Sequence, residues 1–163
     1  MSSPWISALR SVALDLPDIA KKAKFFTEVE NLAVLARRKT AIYLRGTGSD
    51  HHLLSVHQGS DVPQIRHITF RARSESALDE IASATVLSGG SIVVPLGVLA
   101  HPAGGVGLTL RDHDGRLVQI VYNDKCNSDV TDRKNQPMRL AHVVVNAHDI
   151  KKSHQFFEQV LGF

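Results

Sequence analysis

"RLAHVVVNAHDIKKSHQFFEQVLGF", residues 139–163, reads as an opening phrase: a strand, an acidic helix cap, then an amphipathic helix. The same phrase stands near the front of the chain. Aligned without gaps, Leu9–Leu32 and Leu140–Phe163 coincide at eight of 24 positions. Asp18-Ile19 falls on Asp149-Ile150, and Phe25-Phe26 falls on Phe156-Phe157. Self-similarity of this kind outranks most other sequence signals, because each copy is one supersecondary unit.

Working outward from the first copy, "LRSVALDL" is a strand with Val12 and Leu14 on one face. Pro17 ends it and Asp18 can cap a helix. Ile19, Ala23, Phe26 and Val29 follow at helical spacing. Then "LAVLA", "AIYLR" and "HLLSVH" read as three short strands, split by "RRKT" and "GTGSD". The order recurs. "IRHITFRA" is a strand, Ser74 can cap a helix carrying Leu78, Ile81, Ala82 and Thr85, and Gly89-Gly90 stops it. "SIVVPL" is a short strand. "GVGLTLRD" and "RLVQIVY" form a hairpin around Asp114-Gly115.

Residues 7–57 and 65–122 are therefore expected to be two βαβββ modules of one domain, 7–122. The polar, aperiodic stretch 123–138 is expected to be a linker, and 139–163 the first strand and helix of a third module, opening a truncated second domain. The class is α+β. A helix covers only one face of such a module's sheet, so two modules side by side make a half-barrel with every second strand residue facing its interior.

Composition narrows the function. Hydrophobic residues are 43% of the 163, enough for a packed core. No apolar run reaches the length of a membrane span and no secretory signal opens the chain, so no membrane is expected as a partner. One cysteine, Cys126, makes no internal disulfide, and a cytoplasmic setting is the expectation. A net charge of +3, with its densest basic run confined to Arg37, Arg38 and Lys39, excludes a broad nucleic-acid surface.

The paired modules, "LAHVVVNAHDIKKSHQFFEQVLGF" and the hairpin "RDHDGRLVQIVY" resemble the vicinal oxygen chelate (glyoxalase/bleomycin resistance/dioxygenase) superfamily. "YLRGTGSDHHLLSVHQG" is similar to the first domain of its type I extradiol ring-cleaving dioxygenases, which run four modules in two domains. The resemblance implies O₂-dependent cleavage of a catechol-type aromatic by Fe(II), with Mn(II) as the other metal, in a homo-oligomeric full-length protein. It also leaves open a small-molecule-binding protein of the glyoxalase or bleomycin-resistance type, and a metal-free scaffold module.

The same resemblance picks out candidate ligands. The family's ligand position on a module's opening strand falls on Ser11, His67 and His142, and its last-strand position in the second module falls on Gln119. Serine and glutamine are poor ligands for a 2-His-1-carboxylate site, so His67 would be the one strong donor of the first domain. Read by itself, His67 is a core histidine first and a metal ligand second. His142 takes the place of the first iron-binding His of the catalytic domain, with its partner ligands expected outside residues 1–163. No catalytic group is assigned within the chain, and no tightly bound metal is expected on it. The remaining histidines are expected to be solvated, and adjacent His51 and His52 to face opposite ways on a strand.

Overall fold

The computed structural model describes residues 5–163. The elements run β1 (Ile6–Leu16), α1 (Ile19–Glu28), β2 (Ala33–Arg38), β3 (Ala41–Arg45), β4 (Leu54–Gln58), β5 (Gln64–Ala72), α2 (Ser76–Leu87), β6 (Ser91–Val98), β7 (Val106–Arg111), β8 (Leu117–Tyr122) and α3 (Ile150–Leu161). This is βαβββ twice, followed by a helix.

Local chemistry sets the boundaries. Asp18 Oδ1 accepts from Lys21 N at 3.2 Å to start α1, and its repeat counterpart Asp149 accepts from Lys151 N and Lys152 N to start α3. Ser74 Oγ accepts from Ala77 N at the front of α2. Gly89 and Gly162, both at positive φ, end α2 and α3. In the β7–β8 hairpin Asp112 Oδ1 accepts from the amides of Asp114 and Arg116, while Gly115 takes φ 84°.

The chain forms two compact units. Residues 10–68 associate with 125–141, and residues 69–124 associate with 5–9 and 142–163. In the first unit the strand order is β2-β3-β4-β1, with β1 and β4 parallel and the other pairs antiparallel. Its core is Leu16, Ala23, Leu32, Ile42, Leu44, Leu53 and Val56. The second unit repeats that order as β5-β8-β7-β6. Its core joins Leu78 and Ile81 of α2 to Leu108, Leu110, Val118 and Ile120 of the sheet, and to Phe156, Val160 and Leu161 of α3.

Two segments behave in ways their composition does not announce. The polar stretch expected as a linker is bonded to the first unit. Thr47 N and Gly48 N donate to Pro137 O and Met138 O, and Asp50 forms a bridge with Cys126. Of the strand and helix expected over 139–163, the helix is formed, whereas residues 139–148 carry no strand ladder. An isolated strand has no neighbour to satisfy its amides and carbonyls, so sequence propensity alone does not produce one.

Candidate functional site

Ser11 lies buried on β1, and its hydroxyl accepts from Arg10 Nη1 at 2.8 Å. His67 is half-buried on β5. Both belong to the unit of residues 10–68, whereas Gln119 sits on β8 in the other unit, where its Oε1 accepts from Thr69 Oγ1 at 3.5 Å. His142 is exposed in the segment without regular structure. These residues do not fit a divalent metal as a set. A permanent cation stands beside the aligned ligand oxygen of Ser11, Gln119 adds no charge, and the first two modules contribute one imidazole at the aligned positions.

What the first unit does build is a buried polar cluster. Arg10 is 1% exposed, and Nη1 also stands 2.7 Å from His52 Nε2. Guanidinium has no lone pair, so His52 Nε2 must accept. The proton of His52 then sits on Nδ1, which lies 2.9 Å from His51 Nδ1 and donates to it. Both ring nitrogens of His52 are thereby engaged, which leaves it a positioning group with no lone pair to offer as a base. The Tyr43 ring packs edge-on against His52 and His57, at centroid distances of 5.0 and 6.0 Å. Burial pushes the Tyr43 phenol up, against the opposing charges of Arg38, Arg66 and Arg10. Burial, then the charge of Arg66, holds His57 below its ordinary value, with Asp15 partly offsetting them. Arg66 Nη1 in turn donates to Asp15 Oδ1 at 2.9 Å.

This cluster corrects the sequence reading of the histidines. His52 is buried, and it faces His51 because the pair lies in a bend before β4, where strand alternation does not apply. The legible signal was an arginine inside the apolar run "LRSVALDL".

A second polar cluster ties α3 to the β7–β8 hairpin. Ser153 Oγ donates to Asp114 Oδ2 at 3.2 Å and accepts from Arg116 Nη2 at 2.9 Å. Arg116 Nε donates to Asp112 Oδ2, and Nη1 donates to Asn146 O at 2.8 Å. Desolvation would raise the Asp114 carboxyl, but hydrogen bonds from His148 and Ser153 and the charge of Arg116 outweigh it and hold the group low. His113 Nε2 lies 3.5 Å from Ser153 Oγ, yet the serine's own proton goes to Asp114. The three residue types of a hydrolytic triad are present, but the hydroxyl is bonded directly to the carboxylate, so the arrangement fastens a helix and activates no nucleophile.

Against solved structures, the chain superposes on the Mn(II)-bound glyoxalase of Novosphingobium aromaticivorans with a TM-score of 0.93, at 22% identity over 99% of this chain and 54% of that one. It superposes on homoprotocatechuate 2,3-dioxygenase of Arthrobacter globiformis at a TM-score of 0.85, 20% identical over 98% of this chain and 51% of that one. The fold is that of the vicinal oxygen chelate proteins. The Brevibacterium fuscum homoprotocatechuate 2,3-dioxygenase E323L mutant matches at 0.83, 22% identical over 97% of this chain and 45% of that one. The chain thus spans about half the length of the vicinal oxygen chelate structures it matches. No protein-family model matches the sequence, and neither does any curated protein. Among the described residues no helix is long and apolar enough to cross a membrane.

Proposed function

We propose that this chain is the N-terminal portion of an extradiol-type ring-cleaving dioxygenase acting on a catechol with O₂, cytoplasmic and homo-oligomeric. The observation that carries the reading is the superposition of nearly the whole chain on about half of two homoprotocatechuate dioxygenases. In this reading residues 7–122 are the first domain, 123–138 the connection, and 139–163 the start of the catalytic domain. The first domain supplies core and framework. Its Arg10–His52–His51 chain consumes the polar groups that a metal would otherwise use. His142, aligned with Ser11 in the repeat, offers one imidazole to Fe(II) or Mn(II), and the remaining ligands come from residues beyond this sequence. His67 takes the core role. The metal, once bound, would bring catechol and O₂ together on one ion and favour the ionised hydroxyl. Without the other ligands the chain by itself is inactive.

The Mn(II) glyoxalase superposes at least as well, which favours a second reading in which the full protein carries out glyoxalase-type chemistry. Oxygen uptake separates the two. The complete reading frame containing this chain is expressed, loaded with Fe(II) or Mn(II), and given a catechol in an oxygen electrode. Uptake matched to ring-opened product, lost together with metal in His142→Ala, is expected. Metal-dependent turnover without oxygen uptake overturns the dioxygenase reading.

A further inference from the structure

We propose that the unit of residues 10–68 and 125–141 holds a small oxyanion, a phosphate or a carboxylate, between Arg45, Thr47 and Arg133. These residues line a cavity of about 130 Å³ where the segment after β8 crosses the end of β3. That is small beside the roughly 300–1,000 Å³ pockets of drug-sized ligands, and suits an ion of a few heavy atoms. Arg45 is already oriented. Its Nε donates to Gly46 O at 3.0 Å and its Nη2 to Asp129 O at 2.7 Å, so the guanidinium plane is fixed with Nη1 left to donate. Thr47 Oγ1 is buried with no hydrogen-bond partner. Such a hydroxyl carries a desolvation cost that a ligand oxygen would relieve. Gln136 lines the same space and adds an amide.

The charge balance favours an anion. Two arginines and one aspartate line the space, and Asp129 Oδ1 already accepts from Thr131 Oγ1 at 3.1 Å. Guanidinium pairs bind planar or tetrahedral oxyanions through charge-assisted, directional hydrogen bonds. The walls are close-set as well. A Cβ on Gly46 would stand 2.0 Å from Pro137 O, so the crossing segment is seated tightly against the strand end. An oxyanion bridging Arg45 and Arg133 would fasten that segment to β3.

The test is calorimetric titration of the chain with inorganic phosphate and, separately, with acetate at constant ionic strength. Saturable one-site binding of at least one ion is expected, and the ion that binds identifies the oxyanion class. Arg133→Gln, an exposed substitution that leaves the fold intact, should weaken it by about tenfold or more. Thr47→Val should weaken binding while leaving the ligand-free melting temperature unchanged or higher. Absence of saturable binding for both ions, or affinity unchanged in both Arg133→Gln and Arg45→Gln, overturns the proposal.

Discussion

Arg10→Met keeps most of the buried stem and deletes the donors that Ser11 Oγ and His52 Nε2 accept. Removing charge-assisted bonds from a buried site costs about 2–3 kcal/mol, so urea denaturation should show a loss of that size. A loss under about 0.5 kcal/mol, the ordinary surface range, would mean the cluster is idle. His57 contributes a pH dependence. Its folded-state value lies below the ordinary 6.5, so as pH falls below about 6.5 the unfolded chain binds a proton that the folded chain refuses. Stability therefore declines on the acid side, and His57→Gln should flatten that decline in denaturation curves taken from pH 7.5 to 5. An unchanged slope would contradict the assignment. At this scale the sequence was only partly readable. The repeat alignment located Ser11 and His142, and an arginine in an apolar strand was visible. Which way His51 and His52 point was not, because it depends on a bend that follows from the tertiary course of the loop.

Helices α1 and α3 show how like sequences part company. Phe25 of α1 and Val29 at its C-cap are 49% and 59% exposed, whereas the aligned Phe156 and Val160 of α3 are 3% and 0%. The difference is the neighbour: α3 packs on α2 and the adjoining core, and the Asp114–Ser153–Arg116 cluster pins its first turn. Caps and apolar spacing were legible for both helices, but the surface each one covers was not. Phe156→Ala should cost about 3–5 kcal/mol by emptying a packed site, while Phe25→Ala should stay within about 1 kcal/mol; equal costs would contradict this packing. Gly46→Ala tests the crossing segment. Its Cβ would collide with Pro137 O, so limited proteolysis should cut within 125–141 much faster than in the parent chain. Cleavage at the parent rate would show that the segment is not seated on β3.

For the whole molecule, two rounds of strand, helix and three strands were readable because hydrophobic period, caps and turn residues all agreed. The attachment of the polar stretch 125–141 to the first unit was not, since it rests on backbone bonds such as Thr47 N to Pro137 O that leave no compositional trace. The fold is shared by a Mn(II) glyoxalase and by ring-cleaving dioxygenases, so fold alone does not make this chain a metal centre. Its own side chains argue the other way: the aligned position in the first module is a serine bonded to a buried guanidinium, and His142 stands exposed. The most direct measurement is metal content of the purified chain after anaerobic loading with Fe(II) or Mn(II) and desalting. Metal at background level is expected. One equivalent of iron or manganese retained per chain would contradict the proposal that residues 1–163 need ligands from elsewhere to hold it.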